Sequence, residues 1–326
     1  MSNPTDIVIL TATYNDWGSF FPFLGALDGK LAEAALAAKV VAVDDGSSLP
    51  ADEKALAALE LRAIREVTFV TLTRNMGNQR AVAIGLGYVA NEMTCDCLVV
   101  MDSDMEDLPK YVPQLIERAG RSDSQIVFAE RTRRANHTTF KMFYGIYKSF
   151  YRLFTGMPIS IGNFSAIPGR LVKRIAGISE IWSHFPAGIM RARVPFETIP
   201  TDRGPRLHGA SKMNLVSLVI HGISGLSVHA DVVAVRLLLG ILALGTAIIA
   251  AIAVFILLKL FTDLPLLGWT SQIVTILGGI LFQMFVAAFL IVFLVLAQKS
   301  QRTIIPAIDY ANFIFETRRI PTAARK

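Results

Sequence analysis

Residues 99–109 read Val-Val-Met-Asp-Ser-Asp-Met-Glu-Asp-Leu-Pro, an apolar strand that runs directly into a group of carboxylates. Asp102, Asp104 and Glu106 follow one another at intervals of two residues. Carboxylates this close repel each other, and a divalent cation between them removes the repulsion. Oxygen-only ligands favour Mg²⁺ or Mn²⁺, ions that often bind phosphate-bearing substrates. The alternative is a solvated acidic turn before a helix N-terminus, where Asp and Glu are also favourable.

The sequence around this stretch alternates between short apolar strands and helical segments. The predicted strands are Ile7–Thr13, Val40–Val43, Thr68–Leu72, Leu98–Met101 and Ile126–Ala129. The predicted helices between them are Phe20–Ala38, Asp52–Ile64, Gln79–Glu92 and Lys110–Ala119. This alternation predicts an α/β fold, a Rossmann-like and mostly parallel sheet with helices on both faces. In such open sheets, ligands bind beyond the carboxyl ends of the strands.

Polar or charged residues follow every predicted strand. These strand ends read Thr13-Tyr14-Asn15-Asp16, Asp44-Asp45-Gly46-Ser47, Arg74-Asn75-Met76-Gly77-Asn78, Asp102-Ser103-Asp104 and Glu130-Arg131-Thr132-Arg133. Asp, Asn, Gly and Ser occur in turns for local reasons. Five polar strand ends at one sheet edge are better explained by a shared site.

The ligand of this site is predicted from what the chain contains and lacks. Neither Gly-x-Gly-x-x-Gly after the first strand nor a P-loop is present, which argues against those nucleotide sites. Asp44 and Asp45 can bind a base and a ribose, while a cation at Asp102 and Asp104 holds a diphosphate. The expected ligand is a substituted nucleoside diphosphate. Gly85 and Gly87 fall inside a predicted helix, where they indicate close packing.

Two long apolar runs lie near the C-terminus of a chain that is 53% hydrophobic. Leu237–Leu258 and Ile273–Ala297 contain no charged residue. About 20 apolar residues span a bilayer, so we expect a two-helix transmembrane hairpin; a pair of buried core helices is the alternative. Arg236, Lys299 and Arg302 flank the pair, and the positive-inside rule then places both termini in the cytoplasm. The expected location is the cell (inner) membrane, with the catalytic domain cytoplasmic.

The chain is thereby divided into four predicted segments. They are a cytosolic domain over 1–212, an amphipathic juxtamembrane helix over 213–234, two transmembrane helices within 235–298, and a basic cytosolic tail over 299–326. The net charge of +6 requires no nucleic-acid partner, because no base-reading motif is present. Cys95 and Cys97 are predicted to be reduced, since alternate strand positions are poorly placed for a mutual disulfide.

Taken in order, the polar strand ends resemble those of family 2 glycosyltransferases with the GT-A fold. Arg206-Leu207-His208-Gly209-Ala210-Ser211-Lys212 and the two apolar runs are similar to the polyprenyl-phosphate glycosyltransferases, which use dolichyl or undecaprenyl phosphate. The resemblance covers roughly residues 5–300. One departure is Ile161-Gly162-Asn163-Phe164-Ser165, where the family has Ser-Gly-Phe-Arg; another is Glu106, where the family usually has Gln.

This resemblance implies a transfer of sugar from a nucleotide-diphosphate sugar to a polyprenyl phosphate, with Mg²⁺ or Mn²⁺ as cofactor and a homo-oligomer, such as a tetramer, as a possible assembly. The implied catalytic residues are Asp102, Asp104, Arg131, Arg206 and Lys212. The implied donor-binding residues are Thr13, Tyr14, Asp16, Asp44, Asp45, Asn75, Gly77, Asp102, Arg203 and Ser211. The implied cation ligands are Asp102, Asp104 and Glu106.

The expected mechanism follows from the nucleophile. A phosphate monoester has a second pKa near 6 and is mostly ionised at pH 7, so it needs no strong general base. We therefore expect direct displacement at the anomeric carbon, with inversion. An acceptor hydroxyl on a glycolipid or glycan would need a base, and Asp202 and His184 are the candidates. The alternative is that Asp202 is an ordinary surface carboxylate and His184 is a loop histidine whose hydrogen bonds are satisfied. A nonenzymatic membrane scaffold is a third alternative, which the intact acidic cluster opposes. The transferred sugar, and UDP versus GDP, stay open.

Overall fold

The computed structural model describes residues 6–131, 149, 151–156, 161–205, 222–262, 268–299 and 301–322. The chain divides into two compact units. The first unit consists of Met1–Lys148, Pro158–Val228 and Thr303–Lys326. The second consists of Ser149–Met157 and His229–Arg302.

One mixed sheet forms the centre of the first unit. Its strands are β1 (Ile7–Thr13), β2 (Ala38–Asp44), β3 (Ile64–Leu72), β4 (Cys97–Val100), β5 (Ile126–Arg131), β6 (Ile161–Pro168), β7 (Phe196–Thr201) and β8 (Ile314–Pro321). Their order is β7-β5-β6-β4-β1-β2-β3-β8. The pairs β1–β2, β1–β4, β2–β3 and β5–β7 are parallel, whereas β6 and β8 run antiparallel to their neighbours. The predicted α/β fold with a mostly parallel sheet is confirmed.

Helices cover both faces of this sheet. They are α1 (Trp17–Glu33), α2 (Glu53–Ala57), α3 (Asn78–Glu92), α4 (Val112–Ala119), α5 (Gly169–Ala176) and α6 (Phe185–Arg191), with 3₁₀ turns at Pro109–Tyr111 and Ser179–Trp182. Alternate residues of β1 pack on opposite faces of the sheet, as expected for a strand buried on both sides. Ile7 and Ile9 pack in one cluster with α1 and α4, while Val8 and Leu10 pack in another with α3, α5 and α6.

The second predicted helix is shorter than its sequence pattern indicates. It was expected over Asp52–Ile64, but α2 ends at Ala57 and β3 begins at Ile64. The buried carboxylate of Asp28, on α1, accepts the backbone N–H groups of Arg62, Ala63 and Ile64 at 2.8–3.0 Å. A tertiary contact therefore takes the donors that a longer helix would have used.

Both glycines of α3 are positions of close packing, as predicted. A Cβ atom on Gly85 would lie 2.4 Å from Leu10 Cδ1, on the first strand of the sheet. A Cβ atom on Gly87 would lie 2.3 Å from the carbonyl oxygen of Pro306. Helix α3 is thus held between the sheet on one side and the C-terminal segment on the other.

The C-terminal segment folds onto the first unit, where the sequence pattern had indicated a separate basic tail. It forms α9 (Pro306–Asp309), a 3₁₀ turn (Tyr310–Phe313) and β8, which pairs with β3. The Asn91 side chain donates to the carbonyl of Ala307 at 2.9 Å. Tyr310 donates to the Glu92 carboxylate at 2.6 Å, and this hydrogen bond raises the pKa of Tyr310 to about 12. Pairing across some 250 residues leaves little local signal in the sequence.

The second unit contains two long apolar helices, α7 (Ala230–Phe261) and α8 (Trp269–Lys299). They contact each other, for example through Phe255 and Trp269, whose ring centroids are 5.5 Å apart. Both are long and apolar enough to cross a membrane. Almost none of their residues is buried within the described structure, which argues against core helices of a soluble protein. The two helices indicate membrane association.

The predicted juxtamembrane helix over 213–234 falls only partly within the described residues. Its residues 213–221 lie outside them, residues 222–227 are helical, and residues 230–234 already belong to α7. The remaining domain boundaries of the sequence analysis stay predictions.

Replacement of glycine by alanine should have opposite effects on stability at Gly87 of α3, which is closely packed, and at Gly25 of α1, which is exposed. Gly87→Ala places a methyl group against backbone atoms of residue 306, so we expect a loss of about 1–3 kcal/mol in unfolding free energy. Gly25→Ala, in exposed space within α1, should gain up to about 1 kcal/mol because alanine favours the helix. Thermal unfolding of the two variants in detergent checks this expectation, and equal melting temperatures would contradict it.

Candidate active site

The carboxyl ends of four strands lie side by side at one edge of the sheet. β1 lies between β2 and β4, and all three run in the same direction. The chain proceeds from β1 to β2 and β3 on one side, and β4 lies on the other. Such a switch point opens a crevice between the loops that leave the two neighbouring strands. Thr13, at the end of β1, and Asp102, just after β4, border this crevice.

Direct hydrogen bonds connect the loop after β1 with the loop after β2. The backbone N–H of Asn15 donates to Ser47 Oγ at 2.8 Å, and the N–H of Ser48 donates to Asn15 Oδ1 at 2.9 Å. Asn15 has a φ of 48°, a left-handed conformation that Asn tolerates better than most residues. The first two strand ends therefore form one structure, in agreement with a shared site.

Buried carboxylates at the end of β2 anchor the loops around them. Asp44 Oδ1 accepts the N–H of Ser47 at 2.9 Å. The two oxygens of Asp45 accept the N–H groups of Met76 and Gly77 at 2.6 and 2.9 Å. Burial raises the pKa of Asp45, and the two backbone hydrogen bonds oppose that rise. Contact with a nucleoside stays a prediction for both residues, and the structure adds an anchoring role that the sequence did not reveal.

Gly46 allows the loops after β2 and β3 to touch. Its φ is +73°, and a Cβ atom would lie 2.7 Å from the backbone of both Arg74 and Asn75. Only glycine combines this conformation with so close a backbone approach.

The acidic loop after β4 is held by contacts from α3 and from the segment after β7, and by a hydrogen bond within the loop. Asn78, the first residue of α3, donates to Asp102 Oδ1 at 3.2 Å. Asp104 Oδ1 accepts the N–H of Glu106 at 3.0 Å. The Glu106 carboxylate forms an ion pair with Arg203, and the N–H of Gly204 donates to the Glu106 carbonyl at 3.0 Å. The segment after β7 is thereby fastened to the acidic loop.

These contacts bear on the predicted cation ligands. Within the described residues, no group of three His, Cys, Asp or Glu side chains is placed to hold a metal ion. The structure therefore does not bring Asp102, Asp104 and Glu106 together as a three-carboxylate cage, because Glu106 pairs with Arg203. Asp102 and Asp104 remain as hard oxygen donors on one loop. Two carboxylates fit a cation such as Mg²⁺ whose coordination is completed by substrate phosphates and water.

The remaining predicted site residues differ in burial and in hydrogen bonding. Thr13 is buried, and its hydroxyl has no hydrogen-bond partner in the described structure. Tyr14 and Asn75 are exposed, Asp16 accepts from Ser19 Oγ at 2.8 Å at the start of α1, and Gly77 precedes α3 with a φ of +88°. Arg131 ends β5, and only its backbone is described. Arg206, Ser211 and Lys212 lie outside the described residues.

Both candidate bases for a hydroxyl acceptor already accept a hydrogen bond within the protein. His184 is buried, and its Nδ1 accepts the N–H of Ala187 at 3.3 Å, which caps α6. Asp202 accepts from the Tyr111 hydroxyl at 3.2 Å. The interpretation of His184 as a satisfied loop histidine is confirmed.

Two side chains at this edge were missed as site residues. Gln79, on α3, donates to Asn163 Oδ1 at 3.1 Å and accepts the N–H of Phe185 at 2.7 Å. Asn163 lies at the start of β6, in the segment that departs from the family pattern. That departure was the only sequence signal we noted for a role of Asn163. The antiparallel direction of β6 brings Asn163 to this edge, and tertiary contacts set that direction.

The anchoring role of Asp45 predicts a loss of stability for Asp45→Asn. An amide has one acceptor oxygen, so one of the N–H groups of Met76 and Gly77 would face an NH₂ group. We expect a net loss of about 1–2 kcal/mol, because the lost charged hydrogen bond outweighs the relief of carboxylate burial. Urea unfolding should show this loss, whereas Asp123→Asn, at an exposed position, should change stability by less than about 0.5 kcal/mol.

Comparisons with known proteins identify the family. The model of glycosyl transferase family 2 matches residues 9–173. An uncharacterized glycosyltransferase, YkcC of Bacillus subtilis, is 29% identical over 216 residues, which cover 64% of each chain. The undecaprenyl-phosphate 4-deoxy-4-formamido-L-arabinose transferase of Pseudomonas aeruginosa is 31% identical over 119 residues, 36% of this chain and 34% of that protein. The chain thus spans less than two thirds of the length of these curated relatives.

A similar solved structure is that of mannosyl-3-phosphoglycerate synthase from Rubrobacter xylanophilus. It has a TM-score of 0.49 and 11% sequence identity, and the match covers 69% of this chain and 72% of that one. The family match covers half of the present chain and includes the strand ends from β1 to β5. The protein is a glycosyltransferase and belongs to glycosyl transferase family 2.

Proposed function

We propose that this enzyme transfers a sugar from a UDP- or GDP-sugar to a polyprenyl phosphate at the cytosolic face of the membrane. The observation that carries the proposal is the path of the chain. The sheet that holds the candidate site also contains β8, which follows both apolar helices. A catalytic unit joined to a membrane hairpin in this way stays at the bilayer surface, where a lipid phosphate is available.

The same path restricts the membrane topology. Residues Pro158–Val228 and Thr303–Lys326 belong to one folded unit, so the chain between Val228 and Thr303 must leave and return on the same side of the membrane. The number of crossings is therefore even. Since α7 and α8 are each long enough to span, we propose two crossings. Arg236, Lys299 and Arg302 flank the pair and favour the cytoplasm as the common side.

Several features of the edge suit a nucleotide-diphosphate donor. The hydrogen-bonded loops after β1, β2 and β3 offer a preformed surface for the nucleoside. Asp102 lies beside the first turn of α3, and Asp104 follows two residues later in the same loop. A divalent cation bound there would neutralise the diphosphate as it leaves. Arg203 is held next to this loop by its ion pair with Glu106, which places guanidinium N–H donors near the proposed site of the leaving group.

The acceptor follows from the chemistry of the site and from one relative. A lipid phosphate attacks the anomeric carbon as an ionised oxygen, so the protein must orient it rather than deprotonate it. Direct displacement then inverts the configuration. The name of the Pseudomonas relative specifies undecaprenyl phosphate, which supports a polyprenyl phosphate here. A hydroxyl acceptor is supported less well, because His184 and Asp202 already have the hydrogen bonds described above.

Removal of one acidic-loop carboxylate tests the chemistry. We expect Asp104→Asn to lower the transfer rate at least ~100-fold, because the charge that holds the cation and orients the diphosphate is lost. The assay uses detergent-purified protein, undecaprenyl phosphate, Mg²⁺ or Mn²⁺ and a panel of UDP- and GDP-sugars, with mass spectrometry of the lipid product. Glu117→Gln, at an exposed pair with Arg121, serves as the control. Full activity of Asp104→Asn would contradict the proposed role.

Labelling of an introduced cysteine tests the topology. A membrane-impermeant maleimide applied to intact cells should label Thr262→Cys, at the end of α7, and should label Gln301→Cys only after permeabilisation. The native thiols should react little, because burial raises the pKa of Cys95 to about 12 and that of Cys97 further. Labelling of Gln301→Cys in intact cells would rule out a cytoplasmic return of the chain.

A further inference from the structure

We infer that Gln79 is a positioning residue, which fixes the side-chain amide of Asn163 as a hydrogen-bond donor beside Asp102. The Asn163 amide would bind an acceptor oxygen of the nucleotide-sugar donor, on either the sugar or the diphosphate. This inference rests on the proposed function, because it adds a contact to the same site.

Strand register places Asn163 and Asp102 on the same face of the sheet. Val100 of β4 pairs with Ser165 of β6. Asp102 lies two residues after Val100, and Asn163 lies two residues before Ser165, so the antiparallel course brings them to the same level. Leu98 and Val100, like Ile161 and Ile167 on β6, pack in the cluster that contains α3. Side chains two residues apart share a face, so Asp102 and Asn163 both face α3.

The first two residues of α3 contact this pair one to one. Asn78 Nδ2 donates to Asp102 Oδ1 at 3.2 Å, and Gln79 Nε2 donates to Asn163 Oδ1 at 3.1 Å. Gly77 begins the helix with a φ of +88°, and Asp45 holds the Gly77 N–H at 2.9 Å. The start of α3, which carries the Asn78 and Gln79 amides, is therefore anchored to the sheet.

Two successive hydrogen bonds fix the orientation of the Gln79 and Asn163 side-chain amides. The backbone N–H of Phe185 can only donate, so the Gln79 atom 2.7 Å from it must be the oxygen. The Gln79 nitrogen then faces Asn163, and because an NH₂ group only donates, the facing Asn163 atom must be its oxygen. The Asn163 NH₂ is thus turned away from Gln79. Within the described residues it makes no hydrogen bond, and its two N–H groups are available to a ligand.

The fixed polarity selects the ligand chemistry. An NH₂ group beside Asp102 complements an oxygen with free lone pairs, such as a sugar hydroxyl or a diphosphate oxygen. A carboxylate at position 163 would present a negative charge there instead. Asn163 lies in the segment that departs from the family's Ser-Gly-Phe-Arg pattern, and it presents an oriented neutral amide there.

Gln79→Glu reverses this orientation while it preserves the contact with Phe185. One Glu oxygen still accepts the Phe185 N–H, but the other cannot donate to Asn163 Oδ1. The Asn163 amide would turn and present its oxygen to the ligand. We expect the KM for the nucleotide sugar to rise about tenfold, with kcat and the KM for undecaprenyl phosphate changed by less than about twofold, because one neutral hydrogen bond of the bound donor is lost.

A double-mutant cycle separates this role from a general effect of Gln79. In an Asn163→Ala background, Gln79→Glu should change the donor KM by less than about twofold, since no Asn163 amide remains to be turned. An equal rise in both backgrounds would overturn the inference, because it would show that Gln79 acts through charge or through α6. Asn91→Asp, at the other end of α3, is the matched control: it should lower thermal stability and leave the donor KM unchanged.

Calorimetry with UDP-glucose, GDP-mannose, UDP and GDP completes the test. If Asn163→Asp weakens binding of the nucleotide sugar alone, the contact is to the sugar; if it weakens binding of the nucleoside diphosphate as well, the contact is to the diphosphate. Unchanged binding and KM in both Gln79→Glu and Asn163→Asp would overturn the inference and leave the proposed function intact. A wild-type protein that binds none of the four probes would instead overturn the proposed function, and the inference with it.

Discussion

The close approach of helix α3 to the sheet is the constraint on which the site depends. Gly85 has no side chain, and any Cβ atom there would overlap Leu10 of the central strand. This contact fixes the distance of α3 from β1, and the position of its first turn relative to the end of β4 follows from it. Asn78 and Gln79 can reach Asp102 and Asn163 only because the helix lies so near. On its opposite side, Gly87 lets the segment from Pro306 pack equally closely.

Charge compensation explains how so many acids can be placed at one edge. The carboxylates have donors of several types: Asp44, Asp45 and Asp104 accept backbone N–H groups, Glu106 pairs with Arg203, and Asp102 accepts from the Asn78 amide. Hydrogen bonds and ion pairs to a carboxylate are stronger than those between neutral groups, so these contacts offset much of the repulsion between the acids. Asp102 and Asp104 stay the predicted cation ligands of the acidic loop.

The sequence predicted those features of the fold and site that have a local pattern. The strands β1 to β5 follow from short apolar runs, and α3 follows from helical spacing between polar ends. β8 was missed because Ile314–Pro321 is rich in charge, and its pairing with β3 depends on contacts remote in sequence. Glu106 was predicted as a cation ligand from its spacing, whereas its ion pair with Arg203, almost 100 positions away, has no local signal in the sequence. The amides of Gln79 and Asn163 also meet only in the folded chain, so no local pattern could have paired them.

The hydrogen bonds among the loops bear directly on the energetics of donor binding. Asn15, Asp45, Asn78 and Arg203 each connect one strand end to another, so the loops after five strands behave as one surface. Ordering a loop during binding costs free energy that is subtracted from the affinity. A surface ordered beforehand avoids this cost, and its contacts also hold the loop that carries Asp102 and Asp104. The buried carboxylates that anchor the loops, Asp44 and Asp45, are therefore as necessary to the candidate site as the carboxylates predicted to hold a cation.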